Sequence, residues 1–154
     1  MLQAALLCLI VGISDGDTLT ARCPTQDAAH PYQQVKVRVA GVDAPEKRQP
    51  FGERSRQHLA GLCFQQQARI TVRTRDRYGR SVADVECKGQ DAGTELVRAG
   101  MAWFYVRYGK EHGHLAGIEA DARARRAGLW ADRGPVAPWE WRKYFRKGLA
   151  HNSN

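Results

Sequence analysis

An apolar run from Leu6 to Ile13 leads straight into Asp15-Gly16-Asp17-Thr18, and a second short run, Thr18 to Cys23, follows at once. Asp-Gly is a favoured hairpin loop, so the pair reads as two antiparallel strands joined by a tight turn. Cys8 and Cys23 lie at equal distances either side of the point between Asp15 and Gly16. A hairpin turning there would set them opposite one another, in reach of a disulfide, and leave Cys63 and Cys87 to pair with each other. Pairing of that kind predicts an oxidising compartment, periplasmic or secreted; the alternative is four buried free thiols in a cytosolic protein. The opening Met1 to Gly12 has no basic flank and is too short to span a bilayer, so it reads as a sheet element and no membrane contact is expected. The cysteines and histidines show neither a CxxC nor ligand spacing, which argues against zinc.

Strands dominate the first half. Pro24 to Pro31 is a polar loop with two prolines. Val35, Val37 and Val39 then alternate with Lys36, Arg38 and Ala40, the period of a half-buried strand that puts Arg38 on the face away from the valines. Glu53 to Cys63 reads as a short helix, Arg69 to Arg73 as a fourth strand, and Ser81 to Cys87 as a fifth beyond the turn Asp76-Arg77-Tyr78-Gly79. Asp91 to Ala99 reads as a helix with Asp91 near its start and Gly100 as its stop. Leu115, Ile118, Ala122 and Leu129 recur at helical spacing, an amphipathic helix with its stripe in the core. Five short strands with helices late in the chain predict an α+β, mainly β fold: a five-stranded antiparallel OB-fold barrel with about three helices. A doubly wound sheet would need a helix where the prolines at 24 and 31 stand. At 154 residues the chain suits one domain, here 1–134, followed by a basic, aromatic tail, 135–154.

Twenty-four Lys and Arg against sixteen acidic residues give a formal charge of +8, and a pI near 9.7 fits a polyanionic partner. Against that background the carboxylates stand out. An EF-hand reading of DGDT fails because Leu19 takes the third ligand position. An aspartyl-nucleophile phosphatase motif fits the two Asp residues, but it belongs to a parallel α/β fold that the loop prolines oppose. Asp43-Ala44-Pro45-Glu46 places two carboxylates three apart at a strand end stiffened by Pro45. Oxygen donors at a rigid turn suit a hard cation such as Ca²⁺.

In order, DGDT, VKVRVAGVDAPE, DRYGR, ELVRAGMAW and a closing GLW make the chain resemble the staphylococcal nuclease, or thermonuclease-like, family from about Ile10 to Trp130. The resemblance implies an OB-fold barrel and Ca²⁺-dependent, sugar-nonspecific hydrolysis of DNA and RNA, breaking the bond to the 5′ oxygen and leaving 3′-phosphate ends. It implies Asp17, Asp43 and the carbonyl of Ala44 as calcium ligands, with Asp15 supporting them nearby. Arg38 and Arg80 match the phosphate-binding arginines, Glu46 the carboxylate on the attacking water, and Arg77 and Tyr78 the contacts to the nucleotide end. Tyr105 and Tyr108 both fall near the family's nucleotide-flanking tyrosines, and the run AWFYVRY allows more than one register; Tyr108 is the better match, and for Tyr105 packing against the barrel is at least as good a reading. The Cys23 to Gln34 excursion is longer, and the loop after Glu46 shorter, than in the family's best-known member.

The expectation is therefore a monomeric metal-dependent phosphodiesterase acting on DNA and RNA, single strands preferred. The alternative is a nucleic-acid-binding module that keeps the fold without cleavage. The tail mixes Trp139, Trp141, Tyr144 and Phe145 with Arg142, Lys143, Arg146 and Lys147, a composition for docking onto the domain or for stacking on a strand.

Overall fold

The computed structural model describes residues 4–108 and 111–151, with side chains described for 4–107 and 111–146. The first hairpin is present as β1 (Leu6–Asp15) and β2 (Thr18–Pro24). Its turn is centred one residue boundary later than the sequence reading, since Asp15 pairs with Thr18. Two bulges in β1, between Ile10 and Gly12 and between Ile13 and Asp15, restore the register further along, where Leu9 pairs with Arg22. Cys8 and Cys23 therefore still meet, with Cα atoms 4.5 Å apart in a disulfide, and Cys63 and Cys87 form a second at 5.4 Å.

After a loop, β3 (Tyr32–Val39) pairs antiparallel with β2, and β4 (Val42–Asp43) leads to α1 (Gly52–Cys63). Strands β5 (Gln67–Arg75) and β6 (Ser81–Cys87) form the second hairpin, and β7 (Gln90–Asp91) is a short edge beside β6. Helix α2 (Ala92–Arg98) is capped by Asp91, whose carboxylate accepts the Thr94 N–H at 2.9 Å. Then come β8 (Trp103–Phe104), α3 (His114–Ala124) and α4 (Pro138–His151).

The sheet runs β3-β2-β1-β5-β6-β7, and β3 also pairs with β6, closing five strands into the expected OB-fold barrel. That closing seam is parallel, Val37 facing Ser81 and Val39 facing Ala83, so the barrel is mixed where an all-antiparallel one was anticipated. The two strands cannot be neighbours in a hairpin, because the β4–α1–β5 segment lies between them. Ile10, Leu19, Val37, Val39, Ile70 and Val85 fill the barrel, and Leu59 of α1 and Leu96 of α2 plug it.

Two expectations about the helices change. The stripe from Leu115 to Leu129 is broken after Ala124, where Arg126 and Gly128 take φ of 56° and 54°, and Leu129 belongs to a separate 3-10 turn, Gly128–Ala131. The second half of the stripe thus packs with Trp130 beneath Trp103 as a small satellite core. The tail forms a fourth α-helix among the described residues, starting at Pro138, whose fixed φ suits a first helical position.

Candidate active site

Three backbone corners bring the predicted residues to one mouth of the barrel. The DGDT turn supplies Asp15 and Asp17. Gly16 is required there by close approach: a Cβ on it would stand 2.5 Å from the Ser55 Cβ and 3.0 Å from the Ala44 Cβ. The turn thus lies directly on α1 and on the second corner, Asp43-Ala44-Pro45-Glu46. The Ala44 N–H donates to Asp17 Oδ2 at 2.7 Å, and the Val39 N–H donates to the Asp17 carbonyl at 2.8 Å. The third corner, Asp76 to Arg80, is held by one carboxylate. Asp76 accepts the N–H groups of Tyr78 and Arg80 at 2.9 Å each and the Arg80 Nε–H at 2.6 Å, while Gly79 takes the φ of +80° the turn needs.

Arg38, opposite Thr18 on β3, links the first two corners. Its Nη1 donates to the carbonyls of Val39 (3.0 Å) and Val42 (2.8 Å) and lies 3.4 Å from Asp17 Oδ2, and Nη2 donates to Asp43 Oδ1 at 3.3 Å. One guanidinium thus spans both predicted metal carboxylates, which are only 6% and 1% exposed for Asp17 and Asp43. Glu46 is set by a buried glutamine: Gln49 Oε1 accepts the Glu46 N–H at 3.0 Å, and Gln49 Nε2 donates to the Val136 carbonyl at 2.5 Å. Arg80 and Arg77 flank the Tyr78 ring at 5.6 and 5.0 Å, and Tyr78 is 69% exposed. Asp15, Asp17, Arg38, Asp43, Glu46, Arg77, Tyr78 and Arg80, together with Ala44, line a single open cleft of about 960 Å³. Tyr105 lines it too, its ring 5.4 Å from that of Trp139; the side chain of Tyr108 lies outside the described residues.

Sequence reasoning missed Arg142. Projecting from α4, its Nη2 donates to Asp43 Oδ2 at 2.6 Å, and its Nη1 donates to Asp43 Oδ1 at 3.2 Å and to Glu46 Oε1 at 2.6 Å. The usable signal was Pro138 opening a helix in which Trp141 and Phe145 stand four apart, so that one face of the tail addresses the domain. Gln49 carried no signal at all.

The electrostatics of the mouth follow from this crowding. Burial raises the Asp15 pKa above the ordinary aspartate range, and the neighbouring Asp17 and Glu46 charges push the same way. Burial also raises Asp43, against the opposing pull of Arg142 and Arg38. Burial works against the charge on Arg142, yet its bonds to Asp43 and Glu46 prevail and raise its pKa above the ordinary arginine range. The carboxylates thus crowd together beyond what Arg38 neutralises and favour further positive charge.

A hard cation suits that demand. Among the described residues no three His, Cys, Asp or Glu side chains form a ready-made cage. Two buried carboxylates that share one guanidinium, beside the backbone of residue 44, nonetheless offer the oxygen donors that calcium takes, with water completing the set.

Comparison with known proteins places the chain in a family. The family model described as staphylococcal nuclease homologue matches residues 36–132, a span that holds Arg38, Asp43, Glu46 and Arg80 and excludes the β1–β2 hairpin and α4. The chain is 41% identical over 143 residues to an uncharacterized endonuclease of Haemophilus influenzae, covering 93% of this chain and 76% of that protein. It is 39% identical over 144 residues to a micrococcal nuclease of Shigella flexneri, covering 87% and 79%. A staphylococcal-like nuclease of Arabidopsis thaliana is 39% identical over 116 residues, 75% of this chain but only 36% of the plant protein. With the barrel, the arginine-bridged carboxylates and these matches in agreement, the chain belongs to the staphylococcal nuclease homologue family.

Proposed function

We propose that the protein is a calcium-dependent, sugar-nonspecific nuclease that hydrolyses DNA and RNA phosphodiesters and leaves 3′-phosphate ends. The observation that carries this reading is Arg38 bridging Asp17 and Asp43 in the cleft that also holds Glu46 and Arg80. Asp17, Asp43 and the Ala44 carbonyl would hold the ion, with Asp15 close by. The chemistry such an ion would supply there is Lewis-acid charge on a phosphate oxygen. Three of the five Arg38 N–H donors are used within the protein, which leaves two for a phosphate; Arg80, fixed through Nε to Asp76, keeps its terminal nitrogens for the same group. Glu46 accepts the proton of the attacking water as its oxygen bonds to phosphorus. The bond from phosphorus to the 5′ oxygen breaks, and that oxygen takes a proton from solvent water as it leaves.

Arg77 and Tyr78 contact the nucleotide end, and Tyr108 flanks the base. The rings of Tyr78, Trp141 and Phe145 along a cleft edged by Lys47, Arg48 and Arg146 favour single strands, whose bases can be splayed onto them. The two disulfides support an exported location. No helix among the described residues is long and apolar enough to cross a membrane.

A second reading, a binding module without cleavage, is favoured by one observation: Arg142 holds both Asp43 and Glu46. Incubation with single-stranded DNA and RNA separates the two. Calcium should yield fragments ending in 3′-phosphate, and a chelator should abolish them; tight binding with no calcium-dependent cutting overturns the nuclease reading.

A further inference from the structure

Arg142 does more than decorate the cleft. Its fork takes both oxygens of Asp43 and the nearer oxygen of Glu46, and Asp43 is buried to 1% exposure. A bare carboxylate that deep is costly, so some cation must sit there. Arg38 reaches only Oδ1, at 3.3 Å, and is committed to two backbone carbonyls besides. Arg38 leaves Oδ2 open, whereas the Arg142 fork covers both Asp43 oxygens, so a divalent ion that takes Asp43 has to displace Arg142. The two occupants are therefore alternatives.

The helix that carries Arg142 is built to give way. Its root is anchored: the Trp139 ring packs 5.5 Å from Trp103 and 5.4 Å from Tyr105, and Val136 just before it accepts from Gln49. Past Arg142 the described side chains, 143–146, are exposed, Tyr144 and Phe145 among them. The Arg142 side chain, already 38% exposed, can thus turn out to solvent while Trp139 keeps the root in place.

We propose that Arg142 is a resident cation of the site, competing with the divalent metal for Asp43, so that α4 sets the metal concentration at which the site becomes competent. This rests on the calcium reading above. The two competitors bind one site, so the coupling between them is reciprocal: whatever Arg142 costs the metal, the metal costs Arg142.

Calorimetric titration of the full chain with CaCl₂, without nucleic acid, tests it on wild type, Arg142→Ala and Arg142→Lys. Arg142→Ala should bind calcium about 10-fold or more tightly than wild type, within the usual range of coupling between sites. Arg142→Lys, which keeps the charge and loses the fork, should fall between them. Hydrogen exchange gives an independent readout: calcium should speed exchange of amides 139–146 in wild type, while Arg142→Ala exchanges fast there without it. Equal or weaker calcium binding by Arg142→Ala, or exchange in α4 indifferent to calcium, overturns the proposal and leaves the calcium reading standing. Calcium bound by none of the three proteins overturns both.

Discussion

At the scale of single residues, Glu46 is held from both ends, its N–H on Gln49 and its carboxylate on Arg142. With its backbone fixed by Gln49 and its carboxylate released when Arg142 withdraws, Glu46 is suited to take a proton from water. Glu46→Gln preserves shape and removes that capacity, so cleavage should fall by about 10² to 10⁴. Oligonucleotide binding, measured by anisotropy, should persist; unchanged turnover would show that another group takes the proton. The roles expected of Asp17, Arg38, Asp43 and Glu46 came from the resemblance of the ordered motifs to the nuclease family; taken alone, DGDT reads as a hairpin turn and DAPE as a stiffened strand end. Arg142 was not legible, for it meets Glu46 and Asp43 across 96 and 99 residues of chain. The four-residue spacing of Trp141 and Phe145 marks a face of the helix and is silent on which carboxylates that face meets.

Among the elements, the Asp76–Arg80 turn presents Tyr78 and Arg80 to the cleft and depends on the ionised state of one side chain. Burial alone would raise the Asp76 pKa, but the bonds from the Arg80 N–H and side chain and from the Tyr78 N–H prevail and hold it below the ordinary 3.8. Because the folded value is depressed, the stability Asp76 contributes is fully present above 3.8 and is lost as pH falls through the lower folded value. Asp76→Asn should therefore unfold at lower urea than wild type at neutral pH, and the difference should shrink below pH 3.8. A gap independent of pH would assign the loss to shape alone. Strands and the first two helices were readable from alternation and caps. The end of α3 was not: the apolar stripe continues to Leu129, while the backbone reverses at Arg126 and Gly128 to slot against Gly100, where a Cβ on Gly128 would stand 2.4 Å from the Gly100 carbonyl oxygen. A stripe records which side is buried and is silent on whether one helix or two pieces supply it.

For the molecule as a whole, two disulfides lie inside the barrel core, one across the first hairpin and one tying α1 to β6. Their sequence separations of 15 and 24 imply that each stabilises the fold by about 3 kcal/mol through the unfolded chain. Thiol reductant should accordingly lower the urea midpoint, and Cys63→Ser with Cys87→Ser should reproduce part of the shift. A midpoint insensitive to reductant would remove the disulfides from the folding balance, and free thiols in protein isolated from its native compartment would count against export. The seam between β3 and β6 has a further consequence. Arg38 lies on one side of it and Arg80 immediately precedes the other, so the two share a cleft only when strands distant in sequence have paired. Such pairings form slowly compared with hairpins. A partly folded copy therefore has no assembled pair of arginines to turn on a phosphate, and the cell that makes this protein has an interval, before the barrel shuts, in which its own nucleic acids face no finished blade.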